Sequence, residues 1–288
     1  MSAPAFAQAP QTPTISSAAA QSPLAVPHRT AELAVLETGA SDPFSALVGK
    51  RTARRSRQSD VIQVERYVIA TDDRAFLFAK NGEEARVKFL CREGDPRLDC
   101  VIDPDRSAEE VFLLRATTGP RGDIIFKDAG GGMFLRIASY GGATVFWPGA
   151  GKGEAAAKSF GDQTSLRLPF ADVATAARRA QLATAFLSAQ TGAPIVIDFG
   201  TPALDETTGA AVLADAIVRA ASGVQAVAQD EVGAKAIARQ IRTIKLVAAD
   251  VPELSMDGTT LEVRYNPAQD LSGRPSSAAV ARFLEETL

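Results

Sequence analysis

The sequence predicts an α+β protein: an N-terminal antiparallel β-meander or partial barrel, followed by a small α/β domain of helices packed on a short sheet. Three observations carry this. Asn81-Gly82 stands between two runs of alternating apolar residues, the strongest short-range signal for a hairpin. Three further apolar runs, Ile124 to Phe126, Met133 to Ile137 and Thr144 to Trp147, are separated by Gly-rich joints at 128–132 and 140–142 that no helix can cross. Beyond residue 169 the apolar period changes from two to about 3.6.

In order, residues 1–58 are rich in Ala, Pro and Ser, end in a basic cluster, and are expected to be disordered. Residues 59–149 form the β-rich domain. Its strands are read at Val61 to Ala70, Ala75 to Ala79, Ala85 to Leu90, Glu110 to Leu114 and the three runs above, with a turn at Asp72-Asp73. Gly119-Pro-Arg-Gly122 reads as a turn that delivers Asp123 to a strand. Residues 150–169 are assigned to a Gly/Ala/Lys-rich linker in which Glu154 to Lys158 is helix-prone, and residues 170–288 to the α/β domain.

Within that domain the periodicity predicts a helix at Ala171 to Gln190 with Val173, Ala177, Ala180 and Leu187 inward, and a strand at Pro194 to Phe199. A second helix spans Ala210 to Gln229, capped by Thr207 or Thr208, with Val212, Leu213, Ile217, Ala220 and Val224 inward. A third covers Glu231 to Arg242. Strands follow at Ile244 to Ala248 and Thr260 to Tyr265, joined through a turn at Asp257-Gly258, before a last helix capped by Ser276 or Ser277 with Val280, Phe283 and Leu284 on its apolar face.

Composition excludes several functions. The formal charge of −3 gives no footprint for a polyanion, so no nucleic-acid partner is expected. His28 is the one histidine, which leaves little for histidine acid-base catalysis or a histidine metal site; neither a metal nor a cofactor is expected. Five cations between Lys50 and Arg57 could make a weak envelope-surface contact through Arg51, Arg54, Arg55 and Arg57, against a solvated linker as the plainer reading. Ala5-Phe6-Ala7 has the spacing of a signal-peptidase site without the upstream charged and apolar parts, so the start is read as lying inside a longer export signal and the protein as periplasmic or secreted, cytoplasmic being the alternative. In an exported chain Cys91 and Cys100, flanking a polar loop, suit one disulfide; two unpaired thiols at strand ends are the alternative.

Two apparent motifs are weighed against plainer readings. Arg121-Gly122-Asp123 spells an adhesion tripeptide but reads as a turn with a local ion pair. Gly149-Ala-Gly-Lys-Gly153 looks like part of a phosphate loop, yet the first glycine of that pattern falls on Phe146 and no Ser or Thr follows Lys152 to hold a magnesium ion.

Gly119-Pro-Arg-Gly-Asp-Ile-Ile-Phe-Lys127 with Gly141-Gly-Ala-Thr-Val-Phe-Trp-Pro148, and Asn266-Pro-Ala-Gln-Asp-Leu-Ser-Gly-Arg-Pro-Ser-Ser277, resemble an uncharacterised domain-of-unknown-function family of proteobacteria, typically exported. The likeness covers about residues 60 to 288 and implies export but no activity. The hairpins bear a looser similarity to tubby-like or scramblase-like β-barrels, kept as a fold alternative. If a polar binding site exists, its candidates are Arg121, Asp123 and Lys127 beside the hairpins and Asp270 and Arg274 in the Pro-bounded loop before the last helix; the plainer reading pairs Asp270 with Arg274 to shape that loop. The expected function is non-catalytic, with a binding or structural role. The alternative is a nucleotide-binding or hydrolytic enzyme using Gly149 to Gly153 or the Asp123/Asp270 pair.

Overall fold

The computed structural model describes residues 63–103, 105–161, 166–200 and 208–288, which lie within one compact unit spanning 58–288. Eight strands close into an antiparallel barrel: β1 (Val64–Ile69), β2 (Ala75–Asn81), β3 (Glu84–Phe89), β4 (Val111–Thr118), β5 (Ile124–Lys127), β6 (Met133–Ile137), β7 (Ala143–Phe146) and β8 (Gly153–Ser159). Each pairs with its neighbour in sequence, and β8 returns to β1 through Arg66↔Ser159 to Ile69↔Ala156. The expected partial barrel is therefore a complete one.

Strand β8 corrects the reading of 153–159 as part of a helix-prone linker. Its Ala, Glu and Lys favour helix locally, but β1 and β7 both present open edges, and the ladder hydrogen bonds to the two of them outweigh a propensity difference of a few tenths of a kcal/mol per residue.

Alternation within each strand sends the aromatic residues inward. Phe76, Phe89 and Phe126 are fully buried, Phe78 meets Phe126 at 4.9 Å between ring centroids, and Trp147, just beyond β7, meets Phe89 at 4.5 Å. Eight strands enclose an interior that side chains alone can fill, and here aromatic rings fill it. The outer face is not all solvated: β2 is buried on both sides because Leu77 and Ala79 pack with Val111, Leu166 and Leu271 outside the barrel. That second cluster is where the α/β layer meets the barrel wall.

The long β3–β4 connection carries a single-turn helix, α1 (Leu98–Val101). After the barrel come α2 (Val173–Thr191), β9 (Val196–Asp198), α3 (Thr208–Val227), α4 (Glu231–Gln240), β10 (Thr243–Ala248), β11 (Glu253–Asp257), β12 (Thr260–Tyr265) and α5 (Ser277–Thr287). The sheet order is β11-β12-β10-β9, with β10 parallel to both β9 and β12 and β11 antiparallel at the edge. The Asp257-Gly258 turn therefore joins β12 to the edge strand β11, not to β10 as the sequence suggests. Two apolar residues in five were too few for β11 to register as a strand. Asp172, Asp230 and Ser276 cap α2, α4 and α5 by accepting the backbone N–H of Thr175, Gly233 and Ala279.

In α2 the inward stripe is Ala176, Ala180, Ala183 and Leu187, while Val173 is exposed, so the expected stripe is rotated at its start. Helix α3 is long and apolar enough to cross a membrane by length and composition, but it is mostly buried among α2, α5 and the sheet, which accounts for its character. It approaches α5 most closely at Gly223, where an added Cβ would lie 2.5 Å from the Val280 Cβ and 2.8 Å from the Ser277 carbonyl oxygen. Gly223→Ala is expected to force the two helices apart and cost about 1–3 kcal/mol, measured by urea unfolding.

Candidate functional site

Polar chemistry in this fold concentrates in two places. The first is the buried seam where α3 faces the β3–β4 connection. Asp215 and Arg219 lie one turn apart on α3, with Arg219 Nε 3.2 Å from Asp215 Oδ1, and both side chains are almost inaccessible. Arg219 Nη1 stands 3.2 Å from Glu110 Oε2 and 3.9 Å from Asp99 Oδ2, and its Nη2 donates to the Ala108 carbonyl. The contacts of Nε and Nη1 are off the hydrogen-bonding direction, so they act as ionic contacts rather than hydrogen bonds.

Arg274 enters the same seam. Its Nε donates to Asp215 Oδ2 at 2.5 Å, its Nη2 donates to the Val111 carbonyl at 3.0 Å, and Nη1 is 3.8 Å from Glu110 Oε1. Glu110 in turn accepts from the backbone N–H and the hydroxyl of Ser277, tying the start of β4 to the start of α5. Nearby, buried Arg179 of α2 donates to Asp103 at 3.1 Å and to Ser107 at 2.8 Å. Gln225, further along α3, accepts from Leu98 N–H and donates to the Pro96 carbonyl, which fixes α1.

Three buried cations, Arg179, Arg219 and Arg274, thus meet four carboxylates, Asp99, Asp103, Glu110 and Asp215, while the half-buried Arg97 is engaged mainly by Asp95 at 3.1 Å and lies 3.9 Å from Asp99. Burial opposes the ionisation of Asp215, but the Arg219 and Arg274 guanidiniums outweigh it and hold the carboxyl below its ordinary value. Burial also works against the charge of Arg219, and Asp215, Glu110 and Asp99 more than restore it. Asp103 follows the same pattern, with bonds from Ser107 and Arg179 overcoming desolvation.

Cys91 and Cys100 are joined as a disulfide that closes the loop leading into this seam. Asp99 lies beside the pair, but two sulfurs bonded to each other are not thiolate ligands for a metal. Arg97, in the same loop, packs its guanidinium over Trp147 at 5.8 Å.

The second place is an open cleft of about 490 Å³ on the outer barrel wall, lined by Arg66, Leu77, Lys88 and Leu90 of the first strands, by Asp105, Arg106 and Glu109 of the β3–β4 connection, and by Gly161. The strand registers Arg66↔Leu77 and Leu77↔Lys88 set the first three in one outward row. Lys88 is engaged by Glu109 at 2.8 Å.

The candidates read from sequence do not converge. Asp123 accepts from Arg136 through one oxygen and from Ser139 N–H at 3.1 Å through the other, and the Arg136 bond is the main reason its carboxyl lies below the ordinary value. The local ion pair of the Arg121-Gly-Asp turn is therefore made by Arg136, while Arg121 itself is exposed at φ 61°. Lys127 ends β5 half-buried, opposite Arg115 and Met133. The expected pairing of Asp270 with Arg274 is corrected: Arg274 turns inward to Asp215, and Asp270 stays exposed, 3.8 Å from Arg86. Asp123 and Asp270 are each held by a different arginine. Gly149 to Gly153 forms the β7–β8 hairpin turn, so no helix N-terminus follows it to receive a phosphate. Arg51, Arg54, Arg55 and Arg57, Ala5 to Ala7 and His28 lie outside the described residues.

The sequence reading missed the seam; the signal that could have found it is that Asp215 and Arg219, four apart, are the only charged residues of α3 and need buried partners. Nothing in the sequence points to Arg66 or Arg106. With this geometry in hand, the sequence matches, over residues 43–284, the model of a family described as Domain of unknown function (DUF4908). No curated protein and no solved structure matches the chain.

Removing Arg219 strands up to three carboxylates in the interior, so Arg219→Ala is expected to cost about 3–5 kcal/mol in urea unfolding. Acid has a defined effect. Because Asp215, Asp103 and Asp123 titrate lower in the folded state than in the unfolded chain, their stabilisation is complete above the unfolded value of about 3.9 and is lost as pH falls through the folded values. Thermal melts from pH 7 to pH 2 should therefore show a midpoint that drops steeply only below about pH 4, and a shallower drop for Asp123→Asn.

Proposed function

Because the chain belongs to the domain-of-unknown-function family DUF4908, we propose from its own residues that it is a non-catalytic binding protein of the cell envelope, held in an oxidising compartment such as the periplasm. The observation that carries the reading is the Cys91–Cys100 disulfide. Cytosolic thiol buffers keep such pairs reduced, whereas an oxidising compartment lets the bond form and persist. The bond sits where it has a structural use: the loop it closes delivers Asp99 to Arg219 and Arg97 to Trp147. Closing a loop of this length contributes about 2–3 kcal/mol.

The non-catalytic part of the reading draws support from how the ionisable groups are spent. Arg274, Asp215 and Glu110 satisfy one another or the backbone and Asp123 is held by Arg136, whereas a catalytic acid or base needs a free face toward a substrate. The binding part draws support from the outer cleft, at whose edge Asp105 and Arg106 are exposed.

Cell fractionation followed by maleimide-polyethylene glycol labelling tests the compartment. The protein is expected in the envelope or periplasmic fraction with both cysteines protected until a reductant is added. Recovery from the cytosol with both thiols labelled would refute the proposal. Cys100→Ser is expected to lower stability by about 2–3 kcal/mol without changing the far-ultraviolet circular dichroism.

A further inference from the structure

We propose that the Cys91–Cys100 bond is a reversible redox couple with a built-in direction: an external thiol enters at Cys100, and Cys91 leaves as a thiolate held by the Arg97 guanidinium. The inference rests on the disulfide that carries the preceding proposal, but not on the compartment in which the chain resides.

Two features of the loop set the direction. The first is access. Cys91, just beyond the end of β3, is buried at 5% exposure, whereas Cys100 in α1 is only partly covered, so a nucleophile from solvent reaches the Cys100 sulfur first. The second is charge. Arg97 Nη2 donates to Cys91 Sγ at 3.7 Å, and Asp99 Oδ1 lies 3.7 Å from Cys100 Sγ. A guanidinium favours negative charge developing on the sulfur beside it and a carboxylate opposes it, which makes Cys91 the better leaving group.

The neighbouring charges moderate this contrast without reversing it. Asp95 accepts from Nε and Nη2 of Arg97, each at 3.1 Å, and so shares the cation. Glu109 accepts the Cys91 backbone N–H at 2.8 Å, and Lys88 matches its charge at 2.8 Å. Asp99 accepts the Glu110 N–H through its other oxygen, 3.9 Å from Arg219 Nη1, so the carboxylate that an arriving thiolate meets is already engaged from the inner side.

Reversibility follows from how the loop is held. The Gln225 amide bonds to Leu98 N–H and the Pro96 carbonyl, and Arg97 packs over Trp147, so the loop has anchors that do not pass through the sulfurs. Opening the bond removes its share of stability and leaves the two cysteines as neighbours, able to pair again. The partner is a dithiol reductant. One of its thiolates attacks Cys100 Sγ, and the new sulfur–sulfur bond replaces the old one, whose electron pair departs on Cys91 Sγ. Its second thiolate then attacks its own sulfur in the mixed disulfide, releasing Cys100 as a thiolate and closing the reductant's own disulfide. The two electrons passed to the protein are matched by the two protons the reductant gives up.

The test uses the purified full chain. Brief exposure to 2-mercaptoethanol, an acid quench, alkylation and peptide mass spectrometry locate the mixed disulfide, which is expected on Cys100 in at least about tenfold excess over Cys91. With dithiothreitol, Arg97→Gln should slow opening of the bond about threefold to tenfold, Arg97→Lys should keep most of the rate, and Asp95→Asn, which frees the guanidinium, should raise it. A loop merely loosened by substitution would open faster in Arg97→Gln as well, so the opposite signs separate charge from loosening. If Arg97→Gln folds poorly, the adduct on the unaltered chain and the Asp95→Asn rate still decide. The reduced chain is expected to keep its far-ultraviolet circular dichroism and to regain the bond when reductant is removed and air admitted. An adduct on Cys91 or divided equally, a rate unchanged or raised in Arg97→Gln or unchanged or lowered in Asp95→Asn, or unfolding on reduction would each overturn the proposal. All of this is measured outside the cell, so failure here leaves the fractionation result standing, and the reverse.

Discussion

Arg219 sits where water cannot reach it, and its charge has to be met entirely by the protein. An unpaired guanidinium in such a place would cost several kcal/mol, so the carboxylates around it are a condition of folding rather than an ornament. Those carboxylates come from three separate parts of the chain: Asp215 one turn back on the same helix, Glu110 at the start of β4, and Asp99 in the disulfide loop. Meeting the charge of one side chain therefore brings helix, barrel and loop into register together.

The same constraint explains why the β3–β4 connection is long yet ordered. A loop of this length is expensive to fix, and backbone alone would not hold it. Here it is held at successive points: by the disulfide, by the Gln225 amide, by Arg219 at the Ala108 carbonyl, and by Arg179 at Asp103 and Ser107. Once fixed, the loop does two things. Its inner side completes the seam, and its outer side supplies Arg106 and Glu109 to the cleft on the barrel wall. A structural device on one face thus sets the geometry of the cleft on the other.

The barrel's closure depends on a different economy. Its interior is occupied by aromatic rings, and the α/β layer covers part of its outer wall through Leu166 and Leu271. The cleft is what remains uncovered between strand faces and the loop. At the hairpin tips Asp123 is satisfied locally by Arg136 and the Ser139 backbone N–H, while the cleft draws on residues that are distant in sequence.

By itself the sequence determined the strands with clean alternation, the hairpin at Asn81-Gly82, the helices with strong periodicity, the Ser276 cap of α5, and the nearness of Cys91 to Cys100, because each of these is a local matter of backbone preference or short spacing. It did not determine that Gly153–Ser159 would be a strand, since its Ala and Lys favour helix until β1 and β7 offer their edges. Nor did it determine where Arg274 points. A loop arginine beside Asp270 looks like a surface pair, and only the folded chain brings Asp215, 59 residues away, to 2.5 Å from its guanidinium. Tertiary structure decided the charge pairing and the cleft because both depend on long-range Coulomb and burial terms, which no window of sequence contains.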